Sequence, residues 1–157
     1  MSRAGAAVLS KVRIRAFQAA TDEAAAVALW RDCGLVRPWN DPHKDIARKL
    51  LVQPELFLVA TVVAPGGEEG QLVGTAMAGY DGHRGSVYYL AVAPAHQRAA
   101  LGRRLMDEVQ ERLLATGCPK IHVLVRTGNA QVLGFYDRLG YERHESLSLG
   151  KRLIPDD

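Results

Sequence analysis

The order of patterns along the chain predicts an α+β fold: a mixed, mostly antiparallel sheet flanked by about four helices. Three strand-like runs, residues 56–63, 71–80 and 86–92, are separated only by short glycine-containing turns, which gives an antiparallel meander. A helical stretch at about 99–116 then separates the third run from another at 119–126. A crossover of that length implies parallel pairing with right-handed chirality. Two helical patterns precede the meander and one follows the crossover, in the order β-α-α-β-β-β-α-β-α-β.

Residues 11–17 (KVRIRAF) alternate polar and apolar, so they form a first strand with Val12, Ile14 and Ala16 inward. Thr21 reads as the N-cap of a helix running to about Asp32, with Asp22 and Glu23 in its first turn and Gly34 ending it. Val27 and Trp30, or Ala28 and Leu29, supply its buried stripe. Asp41 followed by Pro42 is a helix start, and the second helix continues through Ile46, Leu50 and Leu51. The run LFLVATVV at 56–63 has no polar face and reads as a strand covered on both sides. In the next strand Gly74 and Gly79 mark a bulge or a close approach. In SVYYLAV, Val87, Tyr89 and Ala91 alternate against Tyr88, Leu90 and Val92. Leu101, Leu105, Val109 and Leu113 recur at helical spacing up to Gly117. Asn129 caps or begins the last helix, Gly140 ends it, and residues 141–153 are expected to hairpin back as a final strand.

At 157 residues, 48% hydrophobic and 24% charged, the chain suits one globular domain over 11–157 behind a flexible leader at 1–10. A formal charge of +3 without a basic, aromatic-interleaved run argues against nucleic acid. No apolar stretch is long enough to cross a membrane, and the leader is a poor signal peptide, so a cytoplasmic location is expected. Cys33 and Cys118 have no CxxC or His cluster beside them, so no metal site is expected and both thiols are read as free. The final strand, as an edge, could pair two copies into a homodimer.

The junction after YYLAV carries the chemistry. Small residues and arginines at Gln97, Arg98, Ala99, Ala100, Leu101, Gly102 and Arg103 lie where a helix begins. Unpaired N–H groups and the positive end of the helix dipole make such a start a cradle for a pyrophosphate, with Arg98, Arg103 and Arg104 adding charge. The same stretch also reads as an ordinary strand–turn–helix unit with solvated arginines. No GxxxxGK[ST] motif is present, which disfavours a nucleotide-phosphate loop.

YYLAV, a proline, Q-x-x-A-x-G opening a helix, then Asn129 followed by FYDRLGY at 135–141, together resemble the GNAT acyltransferase superfamily. The likeness runs from about Val12 to the C-terminus. More narrowly, CGLVRPWNDP, GYDGHRG and GCPKI are similar to the bacterial YpeA-type acetyltransferases. The resemblance implies the GNAT acyl-CoA N-acyltransferase fold and an acetyl-CoA-dependent N-acetyltransferase acting on a primary amine, small molecule or peptide. Leu90, Ala91 and Val92 would then hold the pantetheine arm by backbone hydrogen bonds, as an added strand would. Residues 98–103 would cradle the pyrophosphate, Asn129 would bond the cofactor arm, and Tyr136 would stand near the sulfur as general acid. Ala100 replaces the family's usual glycine; its methyl does not forbid helical backbone angles and would matter only where a phosphate oxygen needs the space. Leu124 stands where relatives that acetylate protein N-termini tend to have a glutamate. These two departures sustain an alternative, a non-catalytic coenzyme A-binding sensor or interaction module.

The base is left among Asp81, His83 and Tyr88. The loop at 37–41 and the turn at 81–85 are expected to shape the acceptor side. There Arg37 and Trp39 could close over a substrate, although such a Trp more often packs its loop onto the core.

Overall fold

The computed structural model describes residues 11–97 and 100–157; the leader expected over 1–10, and Arg98 and Ala99 of the cradle, lie outside them. Five strands form one sheet in sequential order: β1 (Val12–Ala16), β2 (Phe57–Val63), β3 (Glu69–Tyr80), β4 (Gly85–Val92) and β5 (Ile121–His122). The first four are antiparallel neighbours and β5 joins β4 in parallel, as the crossover predicts. Four helices flank the sheet: α1 (Ala19–Asp32), α2 (Pro42–Lys49), α3 (Leu101–Ala115) and α4 (Ala130–Arg138).

Neighbouring residues of β3 show how the layers form. Thr75 takes the Trp30 indole N–H of α1 at 2.8 Å, whereas a Cβ on Gly74 would stand 3.0 Å from Leu105 Cδ1 of α3. Adjacent strand residues point to opposite faces, so α1 and α3 cover the sheet from two sides. This is why Phe57 to Thr61 and Leu72 to Ala78 are buried without alternation. Gly74 is the predicted close approach; around Gly79 the nearest atoms lie at ordinary contact distance.

α1 begins two residues before the Thr21 expected to cap it. Gln18 is the N-cap, and Asp22 Oδ2 accepts the Gln18 N–H at 2.8 Å while both its oxygens take Arg15 of β1 at 2.7 and 3.0 Å. Burial by itself would raise the Asp22 pKa; the bonds from Arg15 and the Gln18 N–H hold it below the ordinary value. The buried stripe of α1 is Ala26, Val27, Leu29 and Trp30, with Ala28 exposed, and Gly34 ends the helix. Asp41 caps α2 by accepting the His43 N–H at 2.8 Å, and Pro42 is its first residue. α2 stops at Lys49, so Leu51 lies outside it and is exposed.

β4 departs from simple alternation. Its register against β3 passes from Thr75↔Ala91 to Met77↔Tyr88, so two β4 residues, Tyr89 and Leu90, oppose one on β3. Tyr89 sits at φ +51°, in the left-handed region that L-residues with a Cβ avoid. Its ring stacks on Trp30 at 3.9 Å, its hydroxyl donates to Asp45 Oδ2 at 2.6 Å, and its carbonyl accepts from Thr75 Oγ1 at 2.7 Å.

Three expectations are corrected. The strand at 119–126 shrinks to two paired residues, Gly85↔Ile121 and Ser86↔His122; from Val87 onward, ahead of the bulge, β4 has no β5 partner. Consequently no strand forms over 141–153 among the described residues, and the edge expected to pair a second copy is not built. Leu147 and Leu149 alternate as a strand would, yet both are exposed, and Arg143 turns to Asp137 at 2.9 Å. The segment is anchored at its end by Asp156, which accepts the Asp41 N–H at 2.7 Å and pairs with Arg48. Finally, α3 begins at Leu101, and Ala100 precedes it at φ +57°, so its cost lies in left-handed backbone and not only in the space of a methyl.

Two outcomes test this description. Asp22→Asn is expected to cost on the order of 3 kcal/mol, since it strips a buried carboxylate from Arg15. Because the native pKa is depressed, that stabilisation is present above the unfolded value near 4 and fades as pH falls through the native one. Melting temperatures of Asp22→Asn should therefore be flatter than wild type at acid pH. Ala100→Gly should raise stability by about 1 kcal/mol, measured by denaturant unfolding, because glycine adopts φ +57° without strain.

Candidate active site

Beyond Ser86 the two parallel strands part, and the outer edge of β4 from Val87 to Val92 has no β5 partner. A cleft of about 810 Å³ opens there. Its floor is Tyr88, Tyr89 and Leu90, three consecutive residues that the bulge turns to one opening. Leu124, Val125, Arg126, Asn129, Val132 and Tyr136 line the side contributed by the segment after β5 and by α4. The opposing side comes from the α1–α2 loop and α2, with Arg37, Asn40, Asp45, Arg48 and Lys49.

The expected site residues fall into two groups. Leu90, Asn129 and Tyr136 meet in the cleft. Ala91 is 3% exposed and offers only backbone, and the Val92 carbonyl already accepts Gln97 Nε2 at 3.1 Å and Cys33 Sγ at 3.5 Å. The described members of the second group surround the start of α3 and are not among the residues that line the cleft. Ala100 provides no side-chain cap there, so among the described residues the first N–H groups of α3, at Leu101, Gly102 and Arg103, have no side-chain capping partner. The Leu101 side chain is buried in the core, leaving its backbone as the only group it offers. A Cβ on Gly102 would lie 3.3 Å from two Phe135 ring carbons, so glycine here lets α3 approach α4. Arg103 is exposed, while Arg104 reaches the Val12 carbonyl of β1 at 3.4 Å.

Asn129 caps α4 through Oδ1, which accepts the Val132 N–H at 3.2 Å, and this leaves its NH₂ as a donor at the cleft. Tyr136 is 8% exposed, wedged edge-on between Phe135 at 5.0 Å and Tyr141 at 5.2 Å. Its hydroxyl has no hydrogen-bond partner among the described residues, and burial together with Tyr141 pushes its pKa up to about 12. It is thus a protonated donor without an acceptor, at the wall of a cleft.

Of the three residues weighed as base, only Tyr88 lines the cleft. Asp81 closes its own turn, accepting the His83 and Arg84 N–H groups at 2.8 Å each, and His83 lies in that turn. Trp39 is 55% exposed, beside residues 150–154, so it neither packs the core nor lines the main cleft. Sequence reasoning missed Asp45, Arg48 and Lys49. They lie on the α2 face three and four residues from one another or adjacent, a pattern indistinguishable from an ordinary solvated helix face. Burial lowers the Lys49 pKa. Among the described residues no cluster of His, Cys, Asp or Glu could hold a metal ion, and no helix is long and apolar enough to cross a membrane.

Residues 23–141 match the acetyltransferase (GNAT) family. An acetyltransferase of Pectobacterium atrosepticum is 49% identical over 86% of this chain and 92% of its own length. One from Yersinia enterocolitica is 47% identical over 92% of this chain and 98% of its own. Among solved structures, the NatC complex bound to Gag peptide and CoA superposes with a TM-score of 0.72 at 20% identity, covering 86% of this chain and 87% of that one. The ribosomal-protein-S18-alanine N-acetyltransferase of Escherichia coli gives 0.62 at 23% identity, over 82% and 76%. The structural likenesses show the fold, and the sequence relatives show the lineage: this chain belongs to the GNAT acetyltransferase family.

Proposed function

We propose that the protein transfers an acetyl group from acetyl-CoA to a primary amine by direct attack on the thioester. The observation that carries this reading is the meeting, in one cleft, of an unpaired stretch of β4 with the free, protonated hydroxyl of Tyr136. The chain fits the cosubstrate on two counts: the open edge of β4 can receive an extended amide-bearing arm, and the uncapped start of α3 can receive phosphate oxygens. When bound, acetyl-CoA supplies a thioester whose carbonyl carbon accepts the amine and whose sulfur leaves as thiolate.

The residues divide the work accordingly. Leu90, Ala91 and Val92 hold the pantetheine arm through their backbone, and a backbone N–H there polarises the carbonyl oxygen. Gln97, Ala100, Leu101, Gly102 and Arg103, with Arg98 and Ala99 between them in sequence, form the pyrophosphate cradle. The Asn129 NH₂ donates to the arm. Tyr136 Oη gives its proton to the leaving sulfur. The departing thiolate, whose conjugate acid has an ordinary pKa of about 8.5, is stabilised first by the hydrogen bond from the Tyr136 hydroxyl, and the proton it takes is replaced on the phenol from solvent. The Tyr88 hydroxyl relays the proton of the incoming amine through water to solvent, accepting one proton as it passes its own on.

Tyr136→Phe keeps the packing on Phe135 and Tyr141 and removes only the proton. Thiol release in the presence of an amine acceptor should fall by about 100-fold in kcat. Because the Tyr136 pKa is raised to about 12, no loss of rate from this group is expected as pH rises to 10. Wild-type turnover by Tyr136→Phe would remove the acid from Tyr136. Calorimetric binding of acetyl-CoA without transfer to any amine would replace the transferase reading with that of a coenzyme A-binding module.

A further inference from the structure

The cleft carries more positive charge than its own carboxylates match. Among the described residues, Arg37, Arg48, Lys49 and Arg126 line it against one acidic side chain, Asp45. That carboxylate is committed: Oδ2 takes the Tyr89 hydroxyl at 2.6 Å and Oδ1 takes Arg48 Nη1 at 3.0 Å. Arg48 is bound a second time by Asp156, and Lys49 Nζ donates to the Ala78 carbonyl. Arg37 differs from both. It is half-buried at the mouth of the α1–α2 loop, and its guanidinium has no hydrogen-bond or ion-pair partner among the described residues. A guanidinium partly withdrawn from water with its five donors unmatched is a cost that an acidic ligand group would offset.

We infer that the acceptor is a small amine that also bears an acid group, carboxylate or phosphate, and that Arg37 binds that group. This rests on the acetyl-transfer reading above. The planar fork of arginine matches either anion with two parallel hydrogen bonds, which fixes orientation as well as charge. Size supports a small acceptor: about 810 Å³ lies within the ordinary range for a small-molecule site, and the cofactor arm must share it. Charge argues against polycationic amines, which would meet Arg37 and Arg126 with no free carboxylate to receive them.

The test uses the full chain and matched amines: glycine against glycinamide, phosphoethanolamine against ethanolamine, and spermidine as a polycation. Thiol release from acetyl-CoA gives kcat and KM. Thermal shift of the CoA-saturated protein by the same amines gives a readout that needs no turnover. In at least one pair the acid-bearing member should be favoured by about 10- to 100-fold in kcat/KM, and which pair responds separates carboxylate from phosphate. Arg37→Ala should bring that ratio towards one, chiefly through KM, and Arg37→Lys should restore part of it. Equal or better use of the neutral partner, a preference for spermidine, or a ratio intact in Arg37→Ala would overturn the assignment. Binding of acetyl-CoA with no acid preference in either readout overturns the acid group alone, whereas absence of acetyl-CoA binding overturns the transfer reading with it.

Discussion

A tyrosine held in left-handed backbone sets the shape of this molecule. Tyr89 at φ +51° carries strain of about 1–3 kcal/mol for a residue with a Cβ. Stacking on Trp30 contributes about 1 kcal/mol, and a hydroxyl bonded to the Asp45 carboxylate contributes about 2 more, so the conformation is held against its cost. Thr75 completes the clamp by accepting from Trp30 and donating to the Tyr89 carbonyl. α1, α2 and β3 thus all grip one residue of β4. The bulge they enforce lies on the stretch of β4 that has no β5 partner, and the cleft opens over it.

The same clamp links the two sides of the proposed reaction. Asp45 holds Tyr89 with one oxygen and Arg48 with the other, and Arg48 in turn binds Asp156 near the C-terminus. Among the described residues, charge on the acceptor wall is therefore consumed internally until Arg37 is left without a partner, facing the exposed Arg126 across the cleft. The shape of the cofactor's edge and the charge offered to the acceptor come from one hydrogen-bonded network.

Much of this was legible from sequence because its causes are local. Asp41-Pro42 predicts a helix start by its own chemistry, and the structure has it with the carboxylate on the His43 N–H. LFLVATVV predicts a strand buried on both sides because its one polar residue, Thr61, makes no polar face. The failures have non-local causes. Thr21 looks like a cap, but Asp22, fixed by Arg15 from another element, starts the helix at Ala19. Alternation in VYYLAV breaks because Trp30, Thr75 and Asp45, all distant in sequence, hold Tyr89. The strand expected over 141–153 has the right alternation, yet β5 gives it no edge to join. In the cleft, Leu90, Asn129 and Tyr136 are residues that the family resemblance singled out. Asp45 and Arg37 were not, since their significance lies in which of their bonds are already made.

The open edge of β4 as the seat of the cosubstrate is the claim on which the rest stands, and amide hydrogen exchange tests it most directly. Within residues 90–92, the N–H groups that face away from β3 should exchange fast in the free protein and slowly, together with the first turn of α3, once coenzyme A is saturating. Coenzyme A binding that leaves residues 90–92 unprotected would contradict it.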